Sequence, residues 1–366
     1  MMKITKLEPV RVAIPFTHDG PQTGFAGQTW TKLEYLLVRL ETDEGLTGWG
    51  EAFGYGSIPA TQAALSTQVA PLVIGRRADD IASLMEDLKK TLHVFGRSGP
   101  IQFALSGLDI ALWDLAGKQA GLPLHRLLGG GARESIPAYA SKLRLTDPKQ
   151  VADACEKAAS LGFTGIKLHE ITVECVAAAR KAVGDELAIM LDVNCPWTPA
   201  QALEMGRRFE PYGLEWFEEP VWPPENLQAL SDLHVKLGLP IAAGENCANA
   251  WSFQSLAATE GIDILQPSIT KIGGVSEFVQ VAMLAQLHGR QLVPHSPYCG
   301  PGYLATLQMA AVFPSTPWFE YLSVNLERPI FGDVGCVSSD GSIAIPNSPG
   351  LGADPDPEIL KRYRVS

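Results

Sequence analysis

From about residue 135 the sequence repeats one pattern: a short apolar run, then an amphipathic stretch with apolar residues three and four apart. The runs are too short for helices. The stretches between them, such as KQVADACEKAAS (149–160) and SEFVQVAMLAQLHG (276–289), carry the helical period. That alternation predicts parallel strands joined by crossover helices. Eight strands are expected: IPAYAS (136–141), FTGIKLH (163–169), LAIMLDVN (187–194), LEWFEEP (214–220), PIAAGE (240–245), DILQPS (263–268), QLVPHS (291–296) and WFEYL (318–322). Eight parallel strands covered by helices close most naturally into an α/β barrel.

A chain of 366 residues has room for such a barrel and a smaller second domain. MKITKLEPVRVAIP and LEYLLVRLETDEGLTGWGEA read as strands, the second folding over at Asp43-Glu44-Gly45. Between about 59 and 120, apolar residues such as Ile101, Leu105, Leu108, Leu112 and Leu115 recur at helical spacing. The expected organisation is an α+β unit at 1–125, the barrel at 126–325 and a turn-rich tail at 326–366. SIAIP (342–346) in that tail is expected to pair back onto the N-terminal sheet. A doubly wound sheet is the competing fold, but no GxGxxG follows the first strand, and GGGAR (129–133) reads as a turn.

The formal charge of −11 and the absence of a basic cluster exclude nucleic acid and anionic membranes as expected partners. A small anionic substrate remains compatible, because a bound cation and local lysines outweigh a diffuse negative field. The six cysteines include no CxxC pair, and neither a signal-peptide apolar region nor an apolar run of ~20 residues is present. A cytoplasmic protein with reduced thiols is expected.

In a barrel of this kind chemistry sits where strands run into loops. In order, those ends carry Lys167 and His169, Asp192 and Asn194, Glu218 and Glu219, Glu245, Ser268, His295 and Glu320. Asp192, Glu218 and Glu245 fall on consecutive strands ~4.8 Å apart, so their carboxylates crowd one small volume. Taken singly, each acid reads as a loop or ion-pair residue. Three in register instead require protons or a cation, and an all-oxygen set suits magnesium. Strand alternation allows only one of Glu218 and Glu219 into that set.

ALSGLDIALWDLAGKQAGLPLHRLLGG (104–130), and IMLDVN (189–194) continuing through Ala202 and Phe209 to FEEP (217–220), resemble signatures of the mandelate racemase and muconate-lactonizing family of the enolase superfamily. With the strand-end acids, the similarity covers most of the chain. It implies a modified (β/α)7β TIM barrel capped by an N-terminal α+β domain that the C-terminal tail completes. It also implies one Mg2+ held by Asp192, Glu218 and Glu245, with Glu219 outside the ligand set, and a symmetric homo-oligomer. The shared chemistry of such proteins is removal of the proton α to a carboxylate, giving an enediolate.

By matching position, His169 is the expected base and Lys167 the contact for the substrate carboxylate, although Lys167 could itself take the proton. The pair departs from the family's KxK by its histidine. His295, in VPHSPY, matches a histidine acting on the opposite face. Its usual aspartate partner is replaced by Ser268 in QPSITKIGGV. Without that carboxylate His295 loses the group that fixes its tautomer, which leaves it a poorer base but still usable as an acid. Dehydration needs one base and one acid, whereas racemisation needs two matched bases, so the serine leans toward dehydration of a sugar acid or related hydroxy acid. A racemase or epimerase, a lactone cycloisomerase and a non-catalytic scaffold are the alternatives. Lys271 and Glu320 are candidates to orient His295. Asn194, Ser268 and Glu320, with His18 and Trp30 from the glycine-rich 15–30 loop, are the expected substrate contacts. Gln22 and Gln28 of that loop, and the Gly50–Pro59 stretch, are further candidates.

Overall fold

The computed structural model describes residues 1–22, 24–25 and 28–365, with side chains outside 23–28. Eight parallel strands follow in chain order: Ser135–Ser141, Gly165–Leu168, Ala188–Asp192, Leu214–Glu218, Ile241–Ala243, Ile264–Leu265, Gln291–Leu292 and Phe319–Leu322. Each pairs with the next as far as the seventh, and the eighth pairs with the first. Helices connect every consecutive pair, the (β/α)7β arrangement. The ladders are shorter than the apolar runs suggest. On the sixth and seventh strands Gln266 and Val293 donate the last backbone bonds, to Ala243 and Leu265. Pro267 and Pro294 come next and have no N–H to continue them.

Inside the barrel Tyr139, Met190, Trp216, Ala242, Ile264 and Val293 pack as an apolar plug. Side chains on a strand face the same way at every second residue. The next inward positions above Tyr139, Met190, Trp216, Ile264 and Val293 are therefore Ser141, Asp192, Glu218, Gln266 and His295. The polar ring at the mouth rests on a dry floor.

The N-terminal unit is a meander of Ile4–Thr17, Lys32–Thr42 and Thr47–Ala52, with the turn between the last two at Asp43–Leu46. Its sheet lies against the helix Pro100–Ala120 so closely that a Cβ on Gly50 would sit 1.9 Å from the Gly107 carbonyl oxygen. Leu105, Leu108, Leu112 and Leu115 are buried as their spacing predicts. Burial extends round most of this helix, however, because its other side faces the barrel shell. The two acids within it are clamps: Asp109 accepts from Ser276 N at 3.0 Å and Ser276 Oγ at 2.6 Å. Asp114 accepts from Trp49 N at 2.8 Å, Leu351 N at 2.9 Å and Lys118 Nζ at 2.7 Å, joining cap sheet, tail and helix. Glu51, on the third cap strand, accepts from Gly302 N at 2.9 Å and so holds the cap against the helix that follows the seventh barrel strand.

The tail touches both units. Asn325–Leu326 pairs with Thr17 and Phe16 of the first cap strand, and Tyr363 of the helix Pro357–Tyr363 packs with Val10, Val12 and Ile14. Ser342–Ala344 does not join the cap sheet. It pairs antiparallel with Ser135–Pro137, because the first barrel strand meets its neighbours only from Ala138 and Tyr139 onward and leaves that end open. Among the described residues no helix is long and apolar enough to cross a membrane.

Replacing Asp114 by alanine strands two buried backbone donors and removes one of the three partners of Lys118, an expected loss of about 3 kcal/mol. Thermal unfolding checks it; an unchanged midpoint contradicts the clamp.

Candidate functional site

The barrel's C-terminal end brings Asp192, Glu218 and Glu245 together, with one carboxylate oxygen from each lying within 4.8 Å of the others. Asp192 and Glu218 are directly paired residues at the ends of the third and fourth strands. Glu245 lies just past the fifth, beyond Gly244, whose φ of +123° turns the chain. Glu219 points away from the set, as alternation requires, and its carboxylate faces Cys195 Sγ at 3.4 Å and Asn246 Nδ2 at 3.2 Å. Asn194, Cys195 and Glu219 all adopt positive φ, so backbone strain concentrates at these two strand ends.

Positive charge around the acids is partial. The fully buried Lys167 places Nζ 2.9 Å from Glu320, 3.1 Å from Glu218 and 3.4 Å from Asp192. Lys271 reaches Glu245 at 3.3 Å. Burial works against ionisation of Asp192, but Lys167 and His169 outweigh it and hold that carboxyl at about 2. Burial, then the charge of Asp192, drives Glu218 well above the carboxylate range; burial, then the charge of Glu245, takes Glu219 to about 8. Burial and neighbouring carboxylates thus both work against charge on these two acids. Asp192 Oδ2 is buried and makes no close hydrogen bond, with Lys167 Nζ at 3.4 Å and His169 Nε2 at 3.3 Å. A loosely held carboxylate oxygen beside two more carboxylates fits a hard divalent cation that keeps positions open for water or substrate.

Two histidines flank the acids. His169 Nε2 lies 3.3 Å from Asp192, and its Nδ1 is 2.5 Å from the Lys142 carbonyl. A carbonyl only accepts, so Nδ1 carries a proton, and Nε2 is the nitrogen turned toward the site. On the other side His295 Nε2 lies 2.9 Å from Glu245.

The other expected residues divide. Asn194 donates through both N and Nδ2 to Asp192 Oδ1 at 3.0 Å and so positions a carboxylate. Glu320 accepts from Ser296 N at 2.8 Å besides pairing with Lys167. Neither it nor Lys271 hydrogen-bonds the His295 ring; Lys271 turns to Glu245 and Asn246, over the Phe53 ring at 4.5 Å. Ser268 bonds the Tyr298 hydroxyl, which faces His295 Nδ1. Trp30 tilts against Tyr55 at 5.2 Å, the outer member of an aromatic wall running through Phe53 to Tyr298. His18 stacks on Phe16, and its Nε2 is buried without a partner. Gln22 is exposed, and the Gln28 side chain lies outside the described residues.

Sequence reasoning missed Tyr298, Trp216 and Arg144. Trp216 Nε1 donates to Glu218 Oε2 at 2.8 Å, and Arg144 Nε bonds the His169 carbonyl. Tyr298 and Trp216 carry a usable signal: one sits three residues after His295, the other two before Glu218 on the same strand face.

Magnesium is expected to raise the thermal midpoint of the protein by binding the folded state. Asp192→Ala should weaken magnesium binding at least about tenfold in a calorimetric titration and shrink that rise. An equal rise in both proteins contradicts the assignment.

The sequence matches two family models: Enolase C-terminal domain-like over residues 150–359, and Mandelate racemase / muconate lactonizing enzyme, N-terminal domain, over residues 10–129. It is 31% identical to arabinonate dehydratase of Saccharolobus solfataricus over 91% of each chain. It is 32% identical to D-galactarolactone cycloisomerase of Agrobacterium fabrum, covering 93% of this chain and 94% of that one. L-talarate dehydratase of a Polaromonas species, solved with Mg and L-glucarate, superposes with a TM-score of 0.85 at 28% identity, over 100% of this chain and 98% of that one. With a capped (β/α)7β barrel and three acids at its mouth, the chain belongs to the mandelate racemase/muconate lactonizing enzyme family of the enolase superfamily.

Proposed function

We propose that this protein is a magnesium-dependent lyase that dehydrates a sugar acid or related hydroxy acid. The supporting observation is the placement of two dissimilar histidines at opposite ends of the acid set, His169 beside Asp192 and His295 beside Glu245. Asp192, Glu218 and Glu245 are the residues that would hold the ion. Bound there, magnesium supplies fixed positive charge against the negative charge that builds on the substrate carboxylate as its α-proton leaves.

The protein's own groups then divide the work. Nε2 of His169 takes the α-proton, its lone pair aimed inward by the Nδ1 bond to Lys142. The electron pair left on the α-carbon forms the enediolate and then expels the β-hydroxyl, whose carbon–oxygen bond breaks. His295 gives its Nε2 proton to that oxygen, so water leaves, and the enol ketonises to a 2-keto acid. Lys167, beside Glu320, Glu218 and Asp192, is read as a cation next to the acid set and as the contact for the substrate carboxylate, with proton transfer by Lys167 itself the alternative. The aromatic wall of Phe53, Tyr55 and Trp30 closes the cap side and limits water.

The similarity to D-galactarolactone cycloisomerase supports a second reading, in which an ester or ether oxygen accepts the His295 proton and the same base acts first. Six free cysteines favour a reducing cytoplasmic setting, and a symmetric homo-oligomer is proposed on the family pattern.

Incubation with magnesium and a panel of sugar acids in deuterated water, followed by NMR, tests the proposal. A 2-keto product with wild type, lost in His295→Asn while α-hydrogen exchange persists, is the expected result. Interconverted stereoisomers carrying deuterium indicate a racemase, and no exchange with any acid contradicts α-proton chemistry.

A further inference from the structure

Arg144 stands at the barrel mouth with a charge that no carboxylate meets. It lies in the loop that leaves the first barrel strand, and that loop is fixed on both sides of it. Lys142 N bonds the Lys167 carbonyl at 2.9 Å, and Leu145 N and Thr146 N bond the buried Glu170 carboxylate at 2.6 and 3.1 Å. From there the side chain reaches over the ends of the second and third strands. Its Nε bonds the His169 carbonyl, and its Nη2 lies 3.4 Å from both the Val193 carbonyl and Asn194 Oδ1. All three acceptors are neutral. We infer that Arg144 receives a second carboxylate of the substrate, so that the acid this site selects is a sugar diacid rather than a monoacid. This rests on the dehydratase reading above and names the class of acid it acts on.

The argument is a count of charges. Lys167 is paired with Glu320, Glu218 and Asp192, Lys271 with Glu245, and Lys142 and Lys157 share Asp19. Glu170, the acid nearest Arg144 in the chain, is occupied by backbone N–H groups. Among the described residues Arg144 makes no ion pair, and its Nη1 makes no hydrogen bond. A partly buried guanidinium held only by neutral oxygens keeps an unmatched positive charge, and its free edge presents planar donors that suit a carboxylate. One unmatched charge fits one carboxylate. A phosphate, with about two negative charges near neutrality, would need a second free cation.

The position suits the far end of a substrate whose reacting end lies at the acid set. The carbonyl that Arg144 holds belongs to His169, the proposed base, and Asn194 in turn donates to Asp192 Oδ1 at 3.0 Å. Arg144 is therefore beside the reacting groups but outside the three carboxylates. The cap covers this edge: a Cβ on Gly20 would lie 2.3 Å from Leu145 Cδ2, so the cap loop rests on the residue next to Arg144. A carboxylate enclosed there pairs with Arg144 under little screening, whereas the terminal CH2OH of a monoacid leaves the charge unmatched.

The test is calorimetric titration of six-carbon aldaric acids and of the aldonic acids with the same hydroxyl configuration, with magnesium, in a His169→Asn background so that turnover does not intrude. The best-bound diacid is expected to bind at least about tenfold more tightly than its monoacid counterpart. Arg144→Gln should bring that ratio close to parity, and Arg144→Lys, which keeps the charge but not the planar fork, should restore part of it. If Arg144 only braced His169 and Asn194, its loss would weaken both acids together and leave the ratio unchanged. Equal or tighter binding of the monoacids, an unchanged ratio in Arg144→Gln, or no binding of any acid overturns the inference. A diacid that binds selectively but is not dehydrated by the unsubstituted protein refutes the dehydratase reading alone. Monoacids dehydrated as efficiently as diacids refute the inference alone.

Discussion

Three carboxylates forced into one buried volume are the constraint on which the rest of this molecule depends. Parallel ladders set their separation, and the apolar plug of Tyr139, Met190, Trp216, Ala242, Ile264 and Val293 denies them water from below. Like charges so placed destabilise a fold unless something neutralises them. Lys167 and Lys271 do part of this. The remaining deficit is what a divalent cation would fill. A site short of positive charge is also a site prepared to bind a substrate together with its metal.

Around that deficit the barrel arranges groups of different kind. The second strand and the residue just past it contribute a buried lysine paired with three carboxylates and a histidine whose Nδ1 faces a backbone carbonyl. The segment after the seventh contributes a histidine whose outer nitrogen meets a phenol. The cap supplies the wall: Phe53 carries Lys271 over its ring and touches Tyr55 and Tyr298, so movement of the cap loop would be felt at both Glu245 and His295. Glu51, bonded to Gly302 at the start of the helix Pro301–Val312, keeps the cap registered on the barrel, and burial pushes its carboxyl to about 7.

The barrel was legible because each strand is a run of apolar residues and each connection has a helical period; burial on both faces leaves little else for such runs to become. The acid set was legible for a related reason, since strand ends in order place neighbouring residues side by side. What the pattern hides is the direction of a side chain once the strand has ended. Lys271 lies in the same short segment as Ser268 but turns to Glu245, and only the fold shows that Phe53 waits there. Tyr298, in a Ser-Pro-Tyr turn, reads as a loop aromatic until His295 is seen beside it. Ser342–Ala344 was misplaced because strand pairing depends on which edge stays open, and the open edge belonged to Ser135–Pro137.

The central claim is that Asp192, Glu218 and Glu245 exist to grip a single divalent ion. Anomalous diffraction from crystals grown with manganese in place of magnesium examines it most directly. The account requires one strong peak among those three carboxylates, with Asp192 Oδ2 among its ligands. A pocket without a peak, its acids still paired to Lys167 and Lys271, or a peak elsewhere on the protein, would contradict it.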